Sequence, residues 1–599
     1  MRLSWIWVAL LGLAAAIYFP ALKGGFLFDD LPNIVDNPAV HLTHFSITGL
    51  KDSLAGLSAG PLGRPISVWS FALTHLFFGL SAYAFKAVNL AIHVINGLLV
   101  GWFVGLLLHY ARAPLRISAQ ARKWLPVCAA ALWLVHPIHF VATMMAVQRM
   151  TLLAGTFTLL ALIAHLKAMS LPQGRTRWGW LAAGWLVFWP LAVFSKESGL
   201  LFPAYVLAII WLAPKPDSYL QTTRRNTVVI SAVAIALAGL GMLWHIGWSW
   251  LEAGYAARPF TLTERLLTEA RVLWFYLGQI VVPSYYSFAL YLDWFPLSTG
   301  LLAPPATAVA LAAWCLAIAA AVLARQRAPM LGFALAWFLL GHSLESGFVP
   351  LEIAHEHRNY LPALGPILGV AYFGARLLER LRLDNPRLTA GALAIAMVFL
   401  LALFTALRSL QMSSPLEGFQ IEATRHPMSA RANHTAALAL MSAGYGDVGD
   451  PMGGINVKFY FEQAEKVDPA FKLGYLGLLI WACGSERQVE TEWIDGFVEK
   501  LKSTPFGHGQ KQLPAYLLRP LVKMPGCLPR QDALRLFSAG SENQRLNSVI
   551  RSQFLEAASD YELLVWSDLA SARAYLGQAA VLSPHDARLR QKLNSYSQP

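Results

Sequence analysis

The chain has 599 residues, of which 56% are hydrophobic and 14% charged, against about 25% charged in ordinary soluble domains. That balance excludes a water-soluble protein over most of the length. The formal charge of +13 would suit nucleic acid if it lay on one face, but the basic residues occupy short loops between apolar blocks, where they act as topology signals.

In chain order, the first apolar block is 5–19, and its Ala14, Ala15 and Ala16 form a small-residue run of the kind a signal peptidase cuts. Cleavage there would leave a stranded apolar stretch at the new start, so the block is expected to stay as a span with Arg2 on the cytoplasmic side. A long loop follows from residue 23 to residue 83, with Pro32, Pro38, Pro61 and Pro65 and a partly apolar stretch over 66–80. A crossing at 66–80 would invert every later loop, so this stretch is predicted to lie along the membrane surface. Later blocks, among them 181–194, 228–242, 306–323 and 389–407, approach the length that crosses roughly 30 Å of hydrocarbon.

Between the blocks the charges sort by sign. Arg112, Arg116, Arg122 and Lys123 form one cluster, and Lys167, Arg175 and Arg177 the next. Lys215, Arg224 and Arg225, then Arg325 and Arg327, then Arg376, Arg380, Arg382 and Arg387 continue the series. These loops are assigned to the cytoplasm. The alternate loops carry Asp29, Asp30, Asp36, Glu197, Glu252, Asp293, Glu345, Glu352 and Glu356. A single crossing at 266–282 would break this sorting, so a surface or re-entrant helix, or one of a pair, is expected there. The pattern predicts about eleven spans, an odd number, so the tail emerges on the non-cytoplasmic side, the periplasm in a bacterium.

Two domains follow: a membrane domain over 1–412 and a soluble helical domain over 413–599. In the tail, Tyr460 to Pro469 and Tyr575 to Pro584 share Tyr, Gln, Ala and Pro at equal offsets, a pattern like the second helix of a tetratricopeptide repeat. Two unrelated amphipathic helices, each closed by proline, would give the same match. Cys483 and Cys527 lie in the exported tail, where oxidation is permitted, and both a disulfide and free thiols stay open. Cys128 and Cys315 read as small apolar residues of spans.

Candidate chemistry gathers on the outer side. Asp29 and Asp30 are adjacent carboxylates just beyond a membrane helix, costly beside hydrocarbon, and suit a base, a cation site or a helix cap. In an extended segment only one of them would face a given site. Asn89, His93 and Asn96 recur at helical spacing on one face, which fits hydrogen bonding between helices at least as well as a ligand. His136, Arg149, Lys196 and Glu197 lie at outer helix ends. His355 and His357 lack a third ligand at suitable spacing, so no metal site is assigned. Arg358 offers a planar fork for phosphate oxygens, or for an ion pair with Glu352 or Glu356.

The loop after the first span, Gly63-Arg64-Pro65, the Asn89–His93 turn, His136-Pro137, Lys196-Glu197 and Arg358-Asn-Tyr-Leu-Pro362 together resemble the membrane core of the tetratricopeptide-repeat protein O-mannosyltransferases. These are members of the GT-C superfamily of polyprenyl-phosphate-dependent glycosyltransferases. Asp293-Trp-Phe-Pro296 and Ser298-Thr-Gly300 resemble their bacterial relatives. The match runs through the membrane part in scattered motifs and covers the tail only loosely. It implies an all-α polytopic GT-C bundle with a tetratricopeptide-like domain, and sugar transfer, usually inverting, from a lipid-linked donor to a hydroxyl. The family's carboxylate in the first outer loop maps onto Asp29, with Asp30 beside it. Many relatives carry Glu a few residues after the His-Pro pair, where this chain has Val141, so Glu197 becomes the candidate second carboxylate.

Arg358, Lys196, Arg64, His93, His136, Arg149, Glu356 and Tyr360 are the expected contacts to sugar or lipid phosphate. A divalent cation stays open as a cofactor. The implied partners are a polyprenyl-phosphate sugar, an exported protein such as a pilin or other surface protein, and membrane lipid, at the inner membrane of a bacterium. Rival readings are an envelope lipid or oligosaccharide glycosyltransferase or ligase, a transporter, and a non-catalytic scaffold.

Overall fold

The computed structural model describes residues 3–55, 60, 62–111, 115, 117–212, 218–256, 258–381, 385–446, 451–507, 510 and 512–596. Arg2, Arg112, Arg116, Lys215 and Arg382, named above as topology signals, lie outside the described residues. The fold is helical, with no β-strand among the described residues. The chain forms two compact units, one of Met1–Gly247, Glu264–Leu290 and Leu297–Pro415, the other of Trp248–Thr263, Tyr291–Pro296 and Leu416–Pro599.

In the first unit, six helices among the described residues are long and apolar enough to cross a membrane: Ser4–Leu22, Ala82–Tyr110, Ala146–Met169, Arg175–Ser195, Ala306–Leu323 and Arg387–Gln411. A seventh candidate is the pair Ala119–Leu134 and Pro137–Met144, bent by 51°. Its cause is local. Pro137 forces His136 into an extended conformation, ψ 128°, and the helix cannot run through. The chain is a multi-pass membrane protein. Six helices, or seven with the bent pair, are fewer than the roughly eleven spans expected; shorter apolar helices, among them Glu197–Trp211, Arg225–Gly241 and Pro329–His342, also occur among the described residues.

Two helices expected at the surface differ in character from the spans. Pro65–Phe78 has 14 residues and reaches only about 21 Å. Leu262–Val281 carries Glu264, Arg265, Glu269 and Arg271, too many charges for hydrocarbon. It buries Arg265 and Glu269 against protein instead.

The second unit is built from packed helix pairs. Pro451–Val467 packs on Ala430–Ser442, and Leu569–Leu582 on Ser548–Trp566. Both repeat-like segments therefore end a hairpin, each helix stopping two residues before its proline, Pro469 or Pro584, because a residue preceding proline avoids helical geometry. Leu476, Phe497, Leu517, Phe537 and Phe554 make a common core. The Asp293 carboxylate accepts hydrogen bonds from Ser429 Oγ (2.6 Å) and the Arg431 N–H (3.0 Å). Asp293 thereby supplements Ser429 in capping the first repeat helix.

Cys483 and Cys527 are joined in a disulfide that bridges 44 positions of sequence. It ties the helix Leu473–Gly484 to the turn after Leu513–Lys523. Cross-linking a loop of that size restricts the unfolded chain, so Cys527→Ala should destabilise this unit by about 2–4 kcal/mol. Thermal melts with and without reductant check this: the parent should lose stability on reduction and the variant should not respond.

Candidate functional site

The outer loop after the first helix turns sharply at Phe28, whose φ of +38° is left-handed and strained for a residue with a side chain. The two carboxylates beyond it have different surroundings. Asp30 is fully buried and accepts three backbone N–H bonds, from Leu27 (2.9 Å), Ala146 (3.1 Å) and Val147 (2.7 Å). Burial pushes its carboxyl up to about 6, against the pull of those N–H groups and the Lys86 ammonium. Asp29 is partly exposed, and its backbone carbonyl accepts from Asn33 Nδ2 (2.8 Å). Asp30 therefore fastens the loop to residues 146–147, while Asp29 presents the more accessible carboxylate.

The segment that receives Asp30 leads directly to a cluster of charges. One helical turn beyond Val147, about 6 Å, Thr151 Oγ1 accepts from Lys196 Nζ (3.1 Å) and donates to Gln148 (2.8 Å). Arg64 lies at the same place, with Nη1 3.1 Å from Met150 Sδ. Lys196 links the helix Trp189–Ser195 to the turn Glu197–Leu201 in extended geometry, φ −162° and ψ 149°, which sends adjacent side chains apart. Lys196 pairs with Glu345 at 2.6 Å. Glu197 takes the Arg64 fork, Nε and Nη2 lying 2.9 and 2.8 Å from Oε2.

Arg265 braces the loop that carries Glu345, donating to the carbonyls of Glu345, Gly347, Leu351 and Glu352 at 2.6–3.0 Å. Its guanidinium also lies 3.0 Å from Glu269. Arg358 donates to the carbonyls of Ile353 (2.8 Å) and Glu352 (2.5 Å) and lies 3.8 Å from Glu269. Its guanidinium is thus mostly engaged by protein, and the carboxylate beside it is Glu269 rather than Glu352 or Glu356. Burial would raise the Glu345 carboxyl, but Lys196, Arg358 and Arg64 hold it down at about 2. Burial lowers the Lys196 ammonium, opposed chiefly by Glu345.

Several expected contacts lie elsewhere. His93 is fully buried, with ring nitrogens 2.9 Å from Tyr360 Oη and 3.0 Å from the Leu134 carbonyl. Tyr360 Oη also accepts from Asn96 (3.0 Å). His136 engages the Ile280 carbonyl (3.1 Å). Arg149 donates to Asn89, Thr74 and the carbonyls of Ser70 and Phe85. Glu356 pairs with Arg408 at 2.8 Å and accepts the Ala289 N–H at 2.7 Å. These side chains join helices to one another and offer little surface to a ligand. No group of three or more His, Cys, Asp or Glu suited to a metal occurs among the described residues. Sequence reasoning set Glu345 among the outer-loop acids without giving it a role, and left Arg265 and Glu269 out of the site; an acid in an outer loop is a mark that Glu345 shares with many others.

No family model and no solved structure matches the chain. Among curated proteins it is similar to a protein O-mannosyl-transferase of Caenorhabditis elegans, 26% identical over 257 residues, 42% of this chain and 32% of that protein. It is 31% identical to protein O-mannosyl-transferase TMTC1 of Mus musculus over 175 residues, 28% of this chain and 17% of the relative. With TMTC2 of Mus musculus the figures are 28% over 198 residues, 31% and 22%. The chain thus spans a third or less of the length of these relatives. At modest identity, it resembles the protein O-mannosyl-transferases that its motifs suggested.

Proposed function

We propose that the chain is a membrane glycosyltransferase that moves a monosaccharide from a polyprenyl-phosphate donor to serine or threonine hydroxyls of an exported protein. The observation that carries this reading is a cluster of cations that begins one helical turn from the residues that seat the Asp29–Asp30 loop. There Arg64, Lys196, Arg265 and Arg358 stand against the carboxylates of Glu197, Glu269 and Glu345. Such a concentration of cations at an outer loop suits an anionic ligand. Similarity to protein O-mannosyl-transferases supports the class of reaction.

In this mechanism Asp29 takes the proton of the acceptor hydroxyl as its oxygen attacks the sugar C1. The C1–O bond to phosphate breaks, and the polyprenyl phosphate leaves with the electron pair. Lys196, helped by Arg64 and Arg358, stabilises the charge that develops on the leaving phosphate. Attack opposite the leaving group inverts the anomeric centre. Asp30 keeps the Asp29 turn seated on residues 146–147. The assignment places residues 1–412 at the chemistry and 413–599 in acceptor recruitment, since helical repeats form extended binding surfaces. The reaction face and the tail are assigned to the periplasmic side of a bacterial inner membrane by the sorting of basic and acidic loops.

Mass spectrometry of envelope proteins and lipids from cells with and without the gene tests the reading. The expected result is a hexose-type mass addition on serine or threonine peptides that disappears with the gene. A gene-dependent sugar found only on lipid or glycan would overturn the protein acceptor.

A further inference from the structure

We propose that Glu345 is the resident counterion of the donor-phosphate site, holding Lys196 while the site is empty and giving it up when the phosphate of a lipid-linked sugar arrives. The inference rests on the donor reading above and adds how the site is kept when unoccupied.

Three features single out this pair. The first is the type of partner. Glu197 is gripped by the rigid fork of Arg64, and Glu269 lies between two guanidinium groups, Arg265 at 3.0 Å and Arg358 at 3.8 Å. Glu345 is held by a lysine at a single 2.6 Å contact. An ammonium on a flexible stem is a point charge that exchanges partners without losing a bidentate geometry. The same ammonium donates to the neutral Thr151 hydroxyl.

The second feature is access. The side chains of Lys196 and Glu345 are 8% and 13% exposed, whereas those of Arg265 and Glu269 are 0% and 3%. A phosphate can reach the first pair from outside and would have to break packing to reach the second. Glu345 also lies in the turn after the helix Pro329–His342. Arg265 fixes its backbone carbonyl at 2.6 Å, so the carboxylate can swing away while the loop stays braced.

The third feature is the field. The charges of Lys196, Arg358 and Arg64 all act on the Glu345 carboxylate. The position it fills, 2.6 Å from the Lys196 ammonium, is therefore one that favours an anion. Lys196 cannot give its full charge to a phosphate and to Glu345 together, so Glu345 competes with the ligand.

This competition predicts an unusual sign. In the full chain in detergent, Glu345→Gln should bind undecaprenyl phosphate about tenfold more tightly than the parent, because removal of a close charge competitor strengthens the remaining pairing. Turnover with the lipid-linked donor should fall, since the lipid-phosphate product is held longer. Glu345→Asp keeps the charge and should stay within about threefold of the parent in affinity. Undecaprenol, which lacks the phosphate, should not distinguish the proteins.

A second measurement needs no variant. A water-soluble carbodiimide with an amine nucleophile should label Glu345 of the parent faster when undecaprenyl phosphate is present, because the displaced carboxylate becomes exposed. Equal or weaker binding by Glu345→Gln, or Glu345 labelling that is unchanged or reduced by the lipid phosphate, would show an ordinary structural pair and overturn the proposal. If the parent binds no undecaprenyl phosphate, the donor reading falls and this inference with it.

Discussion

Asp29→Asn should lower turnover by about two to four orders of magnitude, the usual contribution of a general base, while the folded protein and its binding of lipid phosphate stay as in the parent. The amide keeps the shape of the side chain and cannot take a proton from the acceptor hydroxyl. Asp29 is the partly exposed member of the pair, beyond a left-handed residue that turns the loop. Asp30→Asn is the contrasting variant. Three N–H groups converge on the Asp30 carboxylate, and an asparagine would turn an N–H₂ toward at least one of them. That leaves buried donors unsatisfied at about 1–3 kcal/mol each, so Asp30→Asn should melt earlier. Initial rates on an acceptor peptide with a lipid-linked sugar, beside melting curves in the same detergent, separate the two residues. Near-parent turnover by Asp29→Asn would remove Asp29 from the chemistry.

The parts of this arrangement that were legible in the sequence are those with a local period. Apolar length marks the spans, and the prolines at 469 and 584 mark the ends of the repeat-like helices. Asn89, His93 and Asn96 recur on one face of Ala82–Tyr110, and all three bond across to other segments, at Met145, Leu134 and Leu152. Pairing between distant charges leaves no such trace. Arg64 and Glu197 are 133 positions apart. Asp30 is satisfied by backbone N–H groups, which carry no residue identity. Lys196 and Glu197 read as a neighbouring pair, yet extended backbone sends them to different partners. Arg408 lies just past the apolar block 389–407, where nothing in the sequence sets it apart from an ordinary flanking arginine.

Glu356→Ala should destabilise the membrane unit by about 3–5 kcal/mol, the range for stripping one partner from a buried ion pair. The arginine it would strand is Arg408. Its Nη1 lies 2.8 Å from both Glu356 Oε2 and the Pro137 carbonyl, and its guanidinium stands over the rings of Phe140 and Phe288 at 4.9 and 5.2 Å. Glu356 also accepts the Ala289 N–H. One carboxylate thus joins the 355–358 turn, the His136-Pro137 corner and residues 288–289. Without it the guanidinium keeps its charge in a dry, aromatic slot with no anion beside it, which costs more than the pair gained on forming. The double variant Glu356→Gln with Arg408→Met removes the stranded charge, keeps approximate volume and retains a side-chain acceptor for the Ala289 N–H. It should recover most of the loss, because a buried pair replaced by neutral groups is often nearly neutral in stability. Melting temperatures of the parent, Glu356→Gln, Arg408→Met and the double in one detergent give the coupling. Additive losses would mean that the two side chains do not act as a pair. A substrate role for Glu356 instead predicts a parent-like melt and weakened donor use in Glu356→Ala.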